Sequence, residues 1–275
     1  MRTPETRSRG SEVKLEIVQK YAAVYSKILS ARKNPTLYHV YIDAFAGAGQ
    51  HVSKTSGNMV PGSPLNALCI QPPFREYHLI DLDSKKVDSL RSHTRDWPNI
   101  SIYEGDSNKV LIEEVFPKAR YGDYRRALCL LDPYGLHLKW QVIESAGNMK
   151  SIDIFLNFPV QDMNRNVLWK NPERVDPHQA VRLTDFWGDE SWRQAAYDKS
   201  SNLFGWEEKQ GNEAIVKAFR KRLKDTANFA YVPEPMPMRN SKNAIVYYLF
   251  FASQKPVAAD IVTDIFNKYR NKGVT

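Results

Sequence analysis

Apolar and polar positions along this chain follow two alternating periods, and each change of period predicts a change between helix and strand. Residues 11–31 carry Val13, Ile17, Tyr21, Val24, Tyr25 and Ile28 at three- and four-residue spacing, which predicts an amphipathic helix. The polar stretch before it, residues 1–10, reads as a disordered tail. A first strand is expected over 38–45, a second ending at Asp81, and a third over 100–103 followed by a helix over 107–116. Asp83 or Ser84 would cap the helix that continues through Val87 and Leu90. Residues 127–131 are uninterruptedly apolar, as a strand covered on both faces requires, and a fifth strand follows over 152–158. Residues 50–61 read as an irregular loop, after which Ser63 as N-cap and Pro64 at the first helical position start a helix. Residues 161–210 turn polar yet keep Trp169, Trp187, Trp192 and Trp206, which predicts a mostly helical insertion after strand five. Residues 229–232 and 244–252 flank a link too short for a crossover helix, so they should pair as an antiparallel hairpin, and a helix over 257–270 closes the chain. The expected fold is α/β: one domain over 1–275 with a mostly parallel seven-stranded sheet.

The first strand runs into Asp43-Ala44-Phe45-Ala46-Gly47-Ala48-Gly49. Two glycines two residues apart allow positive φ and bring peptide N–H groups close to a ligand, although plain strand-to-helix turns use glycine too. Three further strands end in carboxylates: Asp81, Asp106 after Ile100 to Tyr103, and Asp132 in Asp132-Pro133-Tyr134-Gly135. In an open parallel sheet the carboxyl ends of the strands share one edge, so these acids should converge on one crevice.

These residues resemble the Rossmann-like class I methyltransferases that use S-adenosylmethionine. More narrowly, the glycine turn, Gly62-Ser63-Pro64, Asp132-Pro133-Tyr134-Gly135, Phe155-Leu156-Asn157-Phe158-Pro159 and Phe186-Trp187-Gly188-Asp189 with Trp192 resemble the three-Cys-motif partner family. The resemblance implies the S-adenosylmethionine cofactor, and with it a radical-type partner protein that carries the three cysteines. Asp43, Phe45, Gly47 and Gly49 would then face the methionine end of the cofactor, Asp81 the ribose and Asp106 the adenine amine. Helix capping is the competing role for Asp81 and Asp106. Asp132-Pro133-Tyr134-Gly135 is similar to the Asp/Asn-Pro-Pro-aromatic motif of amine methyltransferases, with one proline absent, and to the Asp-Pro-Phe-Gly of tRNA guanine-N2 methyltransferases. That similarity implies Asp132 and Pro133 as acceptors for a target amine and Tyr134 as its stacking partner, against the alternative of a plain turn ending strand four. Asn157, Asp162, Asn164 and Arg165 follow strand five at the same edge, to line a substrate pocket or to cap the next helix.

Composition adds a partner and removes several classes. The 275 residues are 42% hydrophobic, enough for a full core, and no apolar run is long enough to span a bilayer, so a cytoplasmic protein without membrane contact is expected. Cys69 and Cys129 lack ligand spacing and read as small core hydrophobes, and the six histidines show none either, so no metal is expected. The net charge of +8 favours a nucleic-acid partner. Lys217, Lys221 and Lys224 share one face of a helix whose other face carries Ile215, Phe219 and Leu223; that face either grips phosphates or is only solvated. The expected activity is methylation of a base amine in RNA or DNA. The rivals are a small molecule or peptide made with the radical-type partner, and a binding subunit without catalysis.

Overall fold

The computed structural model describes residues 6–7, 9–53, 57–198 and 208–271. Its main sheet contains β1 (Tyr38–Asp43), β2 (Glu76–Asp81), β3 (Ile100–Glu104), β4 (Arg125–Leu131), β5 (Ile152–Phe158), β6 (Met236–Arg239) and β7 (Ile245–Ala252). The spatial order is β6-β7-β5-β4-β1-β2-β3, with β1 to β5 parallel and β7 antiparallel to both β5 and β6. Chain order reverses between β1 and β4, and crevices form at such switch points.

Alternation along the strands sends side chains to two cores. Val40, Ile42, Cys129, Leu131, Ile154 and Phe158 pack on one face, where α5 (Trp140–Met149) and α9 (Asn212–Asp225) cover them. Tyr41, Leu79, Leu128, Leu130, Phe155 and Phe251 pack on the other, under α1 (Arg9–Ser30) and α10 (Pro256–Asn271). On the first face Phe219 of α9 sits among Phe158, Phe186 and Trp187, with ring centroids 4.6, 5.7 and 5.3 Å away. Such a cluster adds about 0.5–1.5 kcal/mol per ring pair beyond its burial.

Several expectations are corrected. The sixth strand is Met236–Arg239, not 229–232, although Phe229 and Val232 are buried. Pro233 and Pro235 interrupt the earlier run, whereas Met236 and Met238 alternate inward along an edge strand that tolerates Pro237. The expected loop at 50–61 contains an antiparallel pair, Gln50–Ser53 with Met59–Pro61, and residues 6 and 7 of the supposed tail pair in parallel with 52 and 53. Gly62, rather than Ser63, is the N-cap of α2 (Ser63–Leu68): its backbone is extended and its carbonyl accepts the first helical bond from Asn66 N–H at 3.0 Å, while its own N–H donates to the Gly49 carbonyl at 2.7 Å. Cys69 is exposed, so only Cys129 behaves as a core hydrophobe. The insertion supplies α6 (Val160–Asn166), α7 (Pro177–Trp187) and α8 (Trp192–Ala196). Trp187 and Trp192 are buried and Trp169 is exposed, while Trp206 lies outside the described residues. No described helix is long and apolar enough to cross a membrane.

Candidate active site

Sheet register sets the site. Asp43 pairs with Leu79 of β2 and Leu130 of β4, so Asp81 and Asp132 stand two residues beyond it on either side. Leu130 pairs in turn with Phe155, which puts Asn157 level with Asp132 one strand further on. Strands about 4.8 Å apart thus gather three carboxylates and an amide along one edge.

The glycine turn is pinned at both ends. Ala44 N–H donates to the Leu130 carbonyl at 3.0 Å and Ala46 N–H to that of Ile80 at 2.8 Å, while Gly47 and Gly49 take φ of +67° and +87°. A side chain at either position would be strained. Asp81 accepts from Gly47 N–H at 2.8 Å through Oδ2 and from Asp83 N–H at 2.9 Å through Oδ1, so one carboxylate shapes the turns after both β1 and β2. Each oxygen keeps a further lone pair for a ligand hydroxyl. Asp43 is fully buried, and burial together with its charge pushes the neighbouring Tyr41 phenol and Cys129 thiol well above their usual ranges. Both stay neutral beside it. Phe45 is partly buried in the same turn.

The capping expectations resolve residue by residue. Asp83 caps α3 (Ser84–His93), accepting from Lys85 and Lys86 N–H at 2.9 and 3.3 Å. Asp106 caps α4 (Ser107–Val110), accepting from Asn108 N–H at 3.0 Å, and stays exposed at the crevice edge. Leu82, between Asp81 and Asp83, is 73% exposed and offers an apolar surface that sequence reasoning passed over.

Asp132 is held from two elements, β5 and α1. Asn157 Nδ2 donates to its Oδ1 at 3.0 Å, and Lys14 of α1 forms an ion pair with its Oδ2. The amide direction is fixed, since the reverse would set its oxygen against the carboxylate. Asn157 Oδ1 is consequently left buried with no partner among the described residues. Lys14 is 3% exposed, its ammonium 5.4 Å from the Tyr247 ring centroid. This lysine was missed, yet it shares a helical stripe with Val18 and Tyr21, and a lone charge in an apolar stripe is a readable signal.

Tyr134 is 85% exposed above a cleft of about 360 Å³ that Pro133, Asn157 and Arg165 also line. Asp162 shapes that cleft rather than offering a free carboxylate. It accepts from Leu136 N–H at 3.2 Å and Asn166 Nδ2 at 2.8 Å, and it lies so close to Gly135 that a Cβ there would meet Oδ2 at 2.7 Å. Asn164 ties the insertion to α9 by donating to Asn212 at 2.7 Å, and it accepts from Lys209 at 2.8 Å. Lys217, Lys221 and Lys224 are not brought into this cleft; they line a separate groove on α9, and Lys221 is ion-paired with Asp225. Among the described residues no group of His, Cys, Asp and Glu gathers in a way that would hold a metal.

Neither a family model nor a curated protein matches the chain. Among solved structures it is similar to protein LPL1258 from Legionella pneumophila, with a TM-score of 0.51 at 10% identity over 92% of each chain. A candidate methyltransferase from Thermobifida fusca gives a TM-score of 0.43 at 13% identity, covering 88% of this chain and 82% of that one. A candidate S-adenosylmethionine-dependent methyltransferase from Listeria monocytogenes gives 0.43 at 11%, covering 86% and 98%. The fold is a Rossmann-like α/β architecture with a mostly parallel seven-stranded sheet, and its likeness to LPL1258 is one of fold alone. The residues at this edge fit S-adenosylmethionine chemically: two glycines at positive φ keep the turn free of side chains, and the Asp43 and Asp81 carboxylates are acceptors of the kind that an amino group and vicinal hydroxyls need.

Proposed function

We propose that the protein is a methyltransferase that uses S-adenosylmethionine to methylate an exocyclic amine of a nucleic-acid base. The observation that carries this reading is the acceptor pair formed by Asp132 and the buried, unpartnered Asn157 Oδ1 beside an exposed tyrosine. A buried acceptor left without a donor costs about 1–3 kcal/mol, a cost that an incoming N–H removes. Asp43, Phe45 and the Gly47 and Gly49 backbone would hold the amino-acid end of the cofactor, Asp81 the ribose and Asp106 the adenine. Bound there, the cofactor supplies an electrophilic methyl group.

Asp132 and Asn157 Oδ1 then take the two N–H bonds of the amine, turning its lone pair out of the base plane, and Tyr134 stacks on the ring. Pro133 lines the same cleft, and its carbonyl would serve as a further acceptor for the amine. Transfer would form the N–C bond as the methyl–sulfur bond breaks and S-adenosylhomocysteine leaves, and the proton of the amine would pass to Asp132, which the Asn157 amide and Lys14 orient. Arg165 and Arg182 at the cleft suit phosphates.

The motif resemblance to the three-Cys-motif partner family supports a second reading, in which the target is made with a radical-type partner protein. Calorimetry with S-adenosylhomocysteine tests the assignment. Asp81→Ala should weaken binding ten- to a hundredfold, as loss of about 1.5–3 kcal/mol of charge-assisted bonding requires, while Asp132→Ala keeps affinity and loses transfer. Absence of binding by the folded wild type, or its loss in a folded Asp132→Ala, would overturn the reading.

A further inference from the structure

A second cavity, about 650 Å³, opens at the opposite edge of the sheet, where β4 and β5 begin and β7 ends, between α1 and α10. Its size falls in the range of small-molecule sites. The methyl-transfer reading uses none of its residues.

The floor carries polar groups turned toward an apolar space. Asp153 lines it and accepts from Tyr21 OH at 2.9 Å. The Tyr25 hydroxyl beside it has no hydrogen-bond partner among the described residues, and burial holds that phenol neutral. Four cations, Arg32, Arg126, Lys150 and Lys255, line the same cavity against the single carboxyl of Asp153. Arg126 and Lys150 are spent on backbone carbonyls: Arg126 on those of Tyr121 and Arg125 at 3.2 and 2.6 Å, Lys150 on that of Asn228 at 2.8 Å. Arg32 and Lys255 form no ion pair with any described carboxylate.

The walls hold tyrosines at a backbone cost. Tyr124 and Lys150 both line the cavity with φ near +60°, a conformation that a side chain other than glycine holds only with strain. Tyr121 and Tyr124 are about half exposed there, with the Arg126 guanidinium 3.6 Å over the Tyr121 ring.

A ligand for this cavity needs planar apolar faces for the tyrosines, donors for Asp153 and Tyr25, and negative charge for Arg32 and Lys255. An amine would meet four cations, and an aliphatic acid would bring no donor to Asp153. We propose that this cavity is a second binding site, for a free mononucleotide whose base sits on the tyrosines with its amine toward Asp153 and whose phosphate meets Arg32 and Lys255.

Calorimetry on the full chain, with nucleoside monophosphates, the matching nucleosides and inorganic phosphate as separate probes, tests it. At least one monophosphate should bind more tightly than its nucleoside and than phosphate alone. Arg32→Gln with Lys255→Gln should weaken that monophosphate at least tenfold and leave its nucleoside unchanged, with melting temperature confirming the fold. Asp81→Ala, which alters the crevice on the other edge, should leave monophosphate affinity as in the wild type. The proposal is overturned if no monophosphate binds, if the two charge substitutions leave affinity unchanged, or if Asp81→Ala abolishes it.

Discussion

Replacing Lys14 by Met removes one partner of an ion pair whose two side chains are 4% and 14% exposed. Breaking a buried pair from one side costs about 3–5 kcal/mol, because a charge is left in a medium that solvates it poorly. Asp132 keeps the Asn157 amide at 3.0 Å and a little water, so the lower end, about 3 kcal/mol, is the expected loss. In a chain of this size that corresponds to a fall in melting temperature of roughly 6–12 °C. Asp132→Asn should cost a similar amount by removing the charge that faces the buried Lys14 ammonium. The double variant should recover most of it, since neither charge then remains and methionine fills the space of the lysine stem. Urea unfolding of the four proteins measures the coupling directly, with about 5 kcal/mol expected from two single losses of about 3 kcal/mol and a double variant within about 1 kcal/mol of wild type. Strictly additive single losses, or a Lys14→Met variant within about 0.5 kcal/mol of wild type, would refute the claim that this pair anchors α1 to the site.

Two further outcomes follow from charge and burial. Exchanging Lys217, Lys221 and Lys224 for Gln should flatten the log–log salt dependence of nucleic-acid binding by about two units rather than three, because Lys221 is already paired with Asp225; an unchanged slope would make the α9 face a solvated cover. Burial raises the Asp153 carboxyl to about 6, so the folded chain holds that proton more tightly than the unfolded one. The stability it contributes is present at acid pH and is lost as pH rises from about 4 through 6, amounting to about 2 kcal/mol between pH 4 and pH 8. Urea midpoints should therefore show Asp153→Asn gaining on wild type over that interval, and a constant difference would contradict the assignment. Tyr21, Ser253, Arg126 and Lys255 surround this carboxyl, and all of them favour its ionised form less strongly than burial opposes it.

The order of strands and helices was legible because buried parallel strands read as apolar runs ending in acids, as at Leu128 to Asp132. The sixth strand was not, since Met236-Pro237-Met238 has neither β-branched residues nor an uninterrupted ladder, and only its pairing with Tyr247 to Leu249 makes it a strand. The acids of the crevice were legible in position but not in partnership. That Asp81 shapes the glycine turn and that Lys14 reaches Asp132 across 118 residues are tertiary facts with no local signature, whereas the cap at Asp106 was among the roles open in the sequence. The basic helix was read by sign alone. Two of its cations are structural: Arg220 bonds the Val232 carbonyl at 2.8 Å, and Arg222 pairs with Asp189 at 2.8 Å and bonds the Trp187 carbonyl at 2.6 Å.

Incubation of the wild-type protein and Asp132→Ala with methyl-labelled S-adenosylmethionine and total nucleic acid, followed by nucleoside analysis, tests the central proposal most directly. The proposal predicts label on an exocyclic base amine with the wild type and none with Asp132→Ala, both proteins retaining cofactor affinity. Label that stays on the cofactor, or that reaches a ring carbon, a ribose hydroxyl or a peptide instead, would contradict it.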